Sequence, residues 1–224
     1  MDPQHWHDRW TNNQIGFHQA SVNAHLSEFW PNAMQAGGKV FAPLCGKSVD
    51  LLWLRDQGYQ VVGIELSPIA VRDFFTENQL TATQSMRDGL ECWSSEDIEI
   101  YVGDFFNLTP AHLSDVTAVF DRASLIALPP NMRKDYAKHI QSLCAFRETF
   151  LITLEYPQDE MQGPPFSVLP NEVKLLYADN YRVNVLKTFD ALAENQNFVR
   201  RGVSQLNETV YHLVPKSLIR LKDS

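Results

Sequence analysis

The sequence lacks the long apolar runs and the basic excess that mark membrane proteins and nucleic-acid-binding proteins. No apolar run in the 224 residues approaches the ~20 needed to span a bilayer. The N-terminal residues have neither the basic region nor the apolar core of an export signal. A formal net charge of -8, with no basic stripe, would repel a polyanion such as nucleic acid. We therefore expect a cytoplasmic protein without a membrane or nucleic-acid partner.

Cysteine is also scarce. The chain has only Cys45, Cys92 and Cys144, an odd and widely spaced set, which argues against a disulfide framework and favours a reducing compartment. Cys45 has no His or Lys pair that would mark it as a nucleophile, so we interpret it as a packed thiol. Among the seven histidines only His5 and His7 lie close together in sequence, and no cysteine pair accompanies them. We expect no metal site.

Glycine is missing from the positions where a dinucleotide-binding loop needs it. A predicted strand leads into the loop 44–47 and then a helix, and the next strand ends at Glu65. This order of elements holds the adenosine part of a cofactor in α/β proteins, because the acid accepts hydrogen bonds from ribose hydroxyls. The loop contains Gly46 alone, and a phosphate loop would need another glycine where Phe41 stands. S-adenosylmethionine, which carries adenosine but no phosphate, therefore fits the loop best.

Predicted strands alternate with helices after a helical segment over residues 1–38, which we interpret as a lid. The pattern predicts a single domain over 1–224, with a doubly wound, mostly parallel α/β sheet in a core over 39–224. The expected strands are 39–43, 60–65, 98–102, 116–121, 150–154, 182–189 and 208–214.

Four residues follow predicted strands and should converge on one edge of the sheet: Leu44, Glu65, Asp104 and Arg122. Glu65 would hold the ribose, the alternative being a solvated acid that begins the next turn. Asp104 would meet the adenine amino group, and an ordinary cap or turn acid is the alternative. Together these positions predict a cofactor site.

Arg122 and three N-terminal aromatic residues have structural as well as functional interpretations. Asp121-Arg122 could be a structural ion pair, but position favours a direct role in which Arg122 binds a carboxylate or stabilises an anionic nucleophile. Trp6, Trp10 and Phe17 could be core residues, as aromatic residues at helical spacing usually are. Alternatively they form a lid whose π faces attract a sulfonium or stack on a flat ring.

Seven segments, taken in order over nearly the whole chain, resemble the thiopurine S-methyltransferase family. They are Trp6-x-x-x-Trp10, Gly16-Phe17-His18, Pro43-Leu44-Cys45-Gly46-Lys47, Val62-Gly63-Ile64-Glu65, Phe74-Phe75, Asp121-Arg122-Ala123 and Gly163-Pro164-Pro165-Phe166. The resemblance implies a class I (Rossmann-like) methyltransferase fold with a seven-stranded sheet, whose last strand is antiparallel, and S-adenosylmethionine as cofactor.

The resemblance also implies roles for individual residues. Cofactor contacts correspond to Trp10, Leu44, Glu65 and Arg122, with Gly46 in the loop and Trp6 and Phe17 in the covering segment. Asp104 stands where some members have a small polar residue, so the contact there could be made by the backbone. The residues of the substrate pocket would be Phe17, Arg122, Pro165 and Phe166, with Arg122 as the candidate for positioning the substrate.

The activity implied by the resemblance is methyl transfer to aromatic or heterocyclic thiols such as thiopurines, and also to selenium or tellurium compounds, in a detoxification role. Transfer from a sulfonium is an in-line displacement at roughly 3 Å, so positioning matters more than a strong base. A halide or small-thiol methyltransferase of related fold and a non-catalytic adenosyl-binding module are alternatives. A nicotinamide-dependent oxidoreductase is disfavoured by the missing glycines. No long apolar surface helix indicates a partner, so we expect a monomer.

Overall fold

The computed structural model describes residues 3–16 and 18–217. The chain divides into two compact units, Met1–Phe120 and Asp121–Ser224, called here the N-terminal unit and the C-terminal unit. The prediction of a single domain over 1–224 is not tested by this division into units. Within the described residues, every helix is too short or too polar to cross a membrane.

The N-terminal unit contains helices α1 to α4 and a mixed set of strands. The helices are α1 (Pro3–Thr11), α2 (Ala24–Ala33), α3 (Asp50–Asp56) and α4 (Pro68–Glu77). The strands are β1 (Lys39–Ala42), β2 (Gln60–Glu65), β3 (Thr83–Arg87), β4 (Leu90–Ser95), β5 (Ile98–Val102) and β6 (Val116–Arg122). Strand β6 begins in this unit and ends in the next. Two short 3-10 helices, Phe105–Asn107 and Pro110–Leu113, lie between β5 and β6.

The strands of the N-terminal unit lie in the order β3-β4-β5-β2-β1-β6. Strand β1 pairs in parallel with β2 and β6, and β2 pairs in parallel with β5. Strand β4 pairs antiparallel with both β3 and β5. Strands β1 and β2 carry almost continuous buried apolar residues, including Val40, Phe41, Val62 and Ile64, as expected for parallel strands covered on both faces. Because β1 and β2 pair in parallel, their carboxyl ends lie side by side.

The C-terminal unit contains helices α5 to α8 and three antiparallel strands. The helices are α5 (Ser124–Ala127), α6 (Pro130–Leu143), α7 (Pro170–Tyr177) and α8 (Gln196–Arg200), and the strands are β7 (Glu148–Glu155), β8 (Tyr181–Asp190) and β9 (Asn207–Pro215). Strand β9 lies between β7 and β8 and is antiparallel to both, which confirms the prediction for the last strand. Helix α6 packs against α7, and α5 lies against β7.

The strand count and the mostly parallel sheet need correction. All seven predicted strands are present, but the described residues form nine, and they pair in a mixed rather than a mostly parallel pattern. The two additional strands are the hairpin β3–β4. Strand β3 is polar and largely exposed, so it lacks the alternating apolar pattern on which strand prediction depends. Its turn, Asp88-Gly89, has both residues at positive φ, and Asp-Gly is the sequence signal that would have revealed the hairpin.

Candidate active site

The loop after β1 turns sharply and is attached to β2 through its main chain. Leu44 and Gly46 have φ of 46° and 55°, in the left-handed region. The N–H of Cys45 donates to the carbonyl of Ile64 at 3.0 Å. The N–H of Gly46 donates to Glu65 Oε2 at 2.9 Å. The predicted site residues Leu44, Gly46 and Glu65 are thus brought together at the end of β2.

Glu65 is a buried carboxylate held by backbone amides. The residue is only 6% exposed. Its second carboxylate oxygen, Oε1, accepts from the N–H of Ser67 at 2.8 Å. Burial raises the pKa of Glu65, and the bonds from Ser67 and Gly46 partly offset that rise. The acid does begin a turn, but it is not solvated. Each carboxylate oxygen can accept more than one hydrogen bond, so both retain capacity for ribose hydroxyls.

Trp10 of α1 lies against this loop. The residue is 6% exposed, and a Cβ built on Gly46 would lie 3.3 Å from Trp10 Cζ2, so the indole covers the glycine closely. Trp6 is half-buried, and its ring meets that of His5 edge to face. Phe17 lies outside the described residues. The structure therefore brings Trp10 to the predicted cofactor loop, while the lid function of residues 1–38 stays a prediction.

Asp104 lies beside the end of β2, but its side chain already has a partner. The N–H of Gly103 donates to the backbone carbonyl of Glu65 at 2.9 Å, which places the next residue near that acid. Asp104 Oδ1 accepts from the N–H of Phe106 at 2.9 Å and caps the 3-10 helix Phe105–Asn107. The cap interpretation accounts for this contact, and a cofactor contact by Asp104 stays a prediction.

Lys47 and Cys45, which flank Gly46, are both committed to structural contacts. Lys47 Nζ lies 2.7 and 2.8 Å from the two carboxylate oxygens of Glu77 at the end of α4. A phosphate-loop lysine would instead be presented to phosphate oxygens. Burial, followed by the charge of Glu65, raises the pKa of the Cys45 thiol well above its ordinary value. The thiol therefore stays protonated, as the packed-thiol interpretation requires.

In the C-terminal unit, Arg122 is the half-buried last residue of β6 and follows a buried carboxylate. The Tyr136 hydroxyl donates to Asp121 Oδ2 at 2.8 Å. Burial raises the pKa of Asp121 to about 6, against the lowering effect of the Tyr136 bond. Ala123 then turns the chain with φ of 67° into α5. Tyr136 was not predicted as a partner, because nothing in the sequence links it to Asp121.

The predicted substrate residues Pro165 and Phe166 belong to residues 156–168, which we call the proline segment. A Cβ built on Gly163 would lie 2.6 Å from Cδ1 of the Phe166 ring, so the ring occupies the space beside this glycine. The N–H of Phe166 donates to the carbonyl of Ile126 at 2.7 Å. The Pro165 carbonyl accepts a hydrogen bond from the hydroxyl of Tyr156. These contacts hold the Phe166 ring and the Pro165 carbonyl in place.

Hydrogen bonds from inside the same segment and from Arg133, which is distant in sequence, also support it, chiefly at Ser167. Its hydroxyl accepts from the N–H of Tyr156 at 3.0 Å, and its N–H donates to Gln158 Oε1 at 2.9 Å. Its carbonyl accepts from Arg133 Nη1 at 3.0 Å. Arg133 is only 1% exposed and also donates to the Leu128 carbonyl at 3.0 Å and to Glu172 Oε2 at 2.7 Å. Sequence reasoning missed Arg133 because arginine is usually exposed. Its spacing from Tyr136, Ala137 and Ile140 places it on the buried face of α6 and is the signal that could have found it.

In the ranges 3–16 and 18–217, no group of three or more His, Cys, Asp or Glu side chains is arranged to hold a metal ion.

Comparison with known proteins identifies the family. Residues 1–216 match the family model described as thiopurine S-methyltransferase (TPMT). The chain is 46% identical over 214 residues to the thiopurine S-methyltransferase of Pseudomonas fluorescens, covering 95% of this chain and 99% of that protein. It is 44% identical over 221 residues to the Nitrosospira multiformis thiopurine S-methyltransferase, covering 97% and 100%.

Solved structures share the fold. A SAM-dependent methyltransferase from Anabaena variabilis matches with a TM-score of 0.63 at 12% identity, over 96% of this chain and 95% of that chain. A Burkholderia thailandensis 1,6-didemethyltoxoflavin-N1-methyltransferase, with 1,6-didemethyltoxoflavin and S-adenosylhomocysteine bound, matches with a TM-score of 0.61 at 11% identity, over 95% and 87%. The resemblance of the seven sequence segments is thereby confirmed. The chain belongs to the thiopurine S-methyltransferase family of S-adenosylmethionine-dependent methyltransferases.

Proposed function

We propose that this protein methylates the sulfur of thiopurines and related aromatic or heterocyclic thiols, with S-adenosylmethionine as the methyl donor. The observation that carries the proposal is the geometry of residues 44–47 in the N-terminal unit, called here the cofactor loop. There the buried Glu65 carboxylate is tied to the main chain at Gly46, and Trp10 covers that glycine. The assignment to the family supplies the reaction class.

The residues present fit S-adenosylmethionine better than a dinucleotide. Glu65 offers two carboxylate oxygens with remaining acceptor capacity, which suits ribose hydroxyls. The turn through Leu44 and Gly46 offers main chain for close approach, whereas Lys47 is already paired with Glu77. When bound, the cofactor supplies a methyl group on a positively charged sulfur. We propose that Trp10 and Trp6, with Phe17 and Asp104, complete the contacts to it.

For the thiol, the proposal assigns charge stabilisation to Arg122 and flat apolar contact to Phe17, Pro165 and Phe166. Heterocyclic thiols are more acidic than a cysteine thiol of pKa ~8.5, so a large fraction is anionic near neutral pH. A guanidinium raises that fraction further and remains charged throughout. With the nucleophile already a thiolate, catalysis consists of placing it in line with the methyl carbon. The mechanism therefore needs no obligate general base.

The test is a radiolabelled methyl-transfer assay combined with calorimetry. We expect S-adenosylmethionine to bind and NAD not to bind, and a thiopurine to become labelled on sulfur. Iodide and bisulfide, added in competition for the same methyl group, should take up little of the label. Preferential labelling of iodide or bisulfide would favour the halide or small-thiol alternative. Binding without transfer to any of these acceptors would favour the non-catalytic module.

Arg122 is tested by two substitutions. Replacing Arg122 with Ala should lower turnover or cofactor affinity by at least about tenfold, because it removes a charged group worth roughly 1.4 kcal/mol or more at the site. Arg122→Lys keeps the charge but loses the planar guanidinium. Its turnover or cofactor affinity should lie between those of wild type and Arg122→Ala. If Arg122→Ala leaves both kinetic profiles and both ligand affinities unchanged, Arg122 has no role in the site.

Location, assembly and acceptor range complete the proposal. We propose a monomer that acts in the cytoplasm in detoxification and also accepts selenium or tellurium compounds. The free thiols of Cys45, Cys92 and Cys144 support a reducing compartment. Sedimentation velocity tests the monomer, and an assay with selenium and tellurium oxyanions tests the wider range of acceptors.

A further inference from the structure

The sulfur of Cys45 occupies the space in which a side chain at Gly63 of β2 would begin. A Cβ built on Gly63 would lie 2.7 Å from Cys45 Sγ, too close for any real carbon. The next nearest atoms, Cys45 Cβ at 3.5 Å and the Ala42 carbonyl oxygen at 3.6 Å, are at ordinary contact distances. Of the three nearest atoms, the sulfur is therefore the one that must move to admit a side chain at Gly63.

The same loop is hydrogen-bonded to β2 immediately after Gly63. The N–H of Cys45 donates to the Ile64 carbonyl at 3.0 Å, and the N–H of Gly46 donates to Glu65 Oε2 at 2.9 Å. Both bonds require the loop to approach the strand closely. A side chain at Gly63 would displace the sulfur. Any part of that displacement that Cys45 does not absorb by turning about χ1 moves the loop away from β2 and lengthens both bonds.

The mechanism gives the Cys45 thiol no chemical task. Burial keeps its proton on the sulfur, so it is a poor nucleophile, and the free thiol takes part in no disulfide. What remains is its shape. A sulfur seated on a glycine fixes how far the loop stands from the strand.

We propose that Cys45 and Gly63 form a matched pair of positioning residues, in which the sulfur seated on the glycine places Gly46 and Glu65 for the cofactor. The inference rests on the proposed function, since it assumes that this loop and Glu65 hold S-adenosylmethionine. It adds two residues, neither of which need touch the cofactor, that set the affinity for it.

A size-swap experiment tests the pair. Gly63→Ala should weaken S-adenosylmethionine binding by about tenfold or more, because overpacking displaces the sulfur and the loop that carries it. Cys45→Ala alone should cost about threefold or less, since it leaves only a small gap. In the double variant the added methyl group meets atoms at 3.5 and 3.6 Å. Its affinity should therefore return to that of Cys45→Ala.

A matched control distinguishes positioning from general destabilisation. Gly63→Ala combined with Cys144→Ala also removes a thiol, and this one is buried away from Gly63. The cofactor affinity of this double variant should therefore stay as weak as that of Gly63→Ala. Calorimetry on folded protein gives the affinity, and thermal unfolding gives stability separately. A merely structural role would lower the unfolding temperature of Gly63→Ala and leave its cofactor affinity unchanged, which would overturn the inference.

Failure of folding also gives a result. If Gly63→Ala is insoluble but the double variant folds and binds the cofactor, removal of the sulfur has relieved the clash, as the inference requires. If the double variant is also insoluble, or binds as weakly as Gly63→Ala, the inference is wrong. Wild-type protein that binds no S-adenosylmethionine would instead contradict the proposed function itself, so the two failures are distinguishable.

Discussion

The cofactor loop after β1 and the proline segment after β7 both carry predicted site residues, but different hydrogen bonds hold them. In the N-terminal unit, main-chain N–H groups of Cys45 and Gly46 attach the loop to β2. In the C-terminal unit, the side chains of Tyr156, Gln158 and Arg133 hold the proline segment in addition to its main-chain bonds. Of the two loop bonds, one joins main-chain groups and the other depends on the Glu65 side chain, whereas the three side-chain bonds of the proline segment each depend on one particular residue.

The two buried carboxylates show the same contrast. Glu65 accepts from two backbone amides, those of Gly46 and Ser67. Asp121 accepts from the side chains of Tyr136 and Ser124 as well as from the backbone amide of Leu125. Burial raises the pKa of both. A backbone amide cannot be mutated away, so the bonds to Glu65 do not depend on a side chain at Gly46 or Ser67, whereas two bonds to Asp121 depend on the side chains of Tyr136 and Ser124. Substitutions should therefore affect the two regions differently.

The largest effect is expected from Arg133→Met in the C-terminal unit. The change leaves the Ser167 and Leu128 carbonyls without their donor and Glu172 without its partner. Removing one member of a buried ion pair costs about 3–5 kcal/mol of unfolding free energy. Urea unfolding measures the loss. Arg200→Met, which removes an exposed arginine of the same unit, should change stability by less than about 0.5 kcal/mol.

If Arg133→Met lost no more stability than its control, the side-chain bonds that hold the proline segment would be dispensable. The contrast between the two regions would then fail at its strongest point.

Asp121→Asn should change how stability depends on pH. The folded state raises the pKa of Asp121 from 3.8 to about 6, so wild-type protein binds this proton more tightly when folded and loses stability as pH rises from about 4 to 6. The asparagine carbonyl can still accept from Tyr136. The free energy of unfolding of the variant, relative to that of wild type, should therefore increase with pH. The difference should level off near 3 kcal/mol, at ~1.4 kcal/mol per pK unit.

Urea unfolding between pH 4 and 7 measures that difference. Tyr136→Phe serves as the comparison. It removes the hydrogen bond that lowers the Asp121 pKa, so its loss of stability should extend to higher pH. Parallel curves for Asp121→Asn and wild type would show that Asp121 does not titrate in this range.

In the N-terminal unit, Glu65→Ala should weaken S-adenosylmethionine binding by about a hundredfold, since ribose acceptors and the anchor of Gly46 are lost together at roughly 1–3 kcal/mol each. Glu65→Gln should also bind weakly, because its amide nitrogen would face the N–H of Ser67 or Gly46. Calorimetry measures both affinities.

The control removes the other acid that contacts this loop. Glu77→Ala takes away the exposed partner of Lys47, and an exposed pair contributes about 1 kcal/mol at most. Cofactor affinity of this variant should stay within about threefold of wild type. An equal loss in both variants would mean that any acid near the loop suffices, and the backbone anchoring of Glu65 would lose its significance.

The difference between the two regions also explains what the sequence could predict. The bounds of β2 and β5 agree with the expected 60–65 and 98–102, because buried apolar runs between turn residues determine these strands. Leu44, Gly46 and Glu65 could be placed together since they follow adjacent parallel strands. This part of the site follows from local patterns alone.

The rest depends on pairings between distant residues, for which a single sequence has no pattern. Arg133 and Ser167 lie 34 positions apart, and Tyr136 and Asp121 lie 15 apart. The seating of Cys45 on Gly63 was equally hidden, although both residues belong to motifs that carry the family resemblance. Steric fit between two side-chain positions is a property of the folded backbone, not of spacing along the chain.

The smallest expected effect is that of Tyr156→Phe, which removes the hydroxyl bonded to the Pro165 carbonyl. One such hydrogen bond contributes about 1 kcal/mol. If the proline segment shapes the thiol site, the thiol KM should rise by about threefold while cofactor affinity stays unchanged. Tyr59→Phe is the matched control, because it removes a phenol bonded to the Gln35 carbonyl at 2.9 Å in the N-terminal unit. It should cost similar stability without changing the thiol KM, and an equal rise in both variants would reduce the Tyr156 bond to a contribution to general stability.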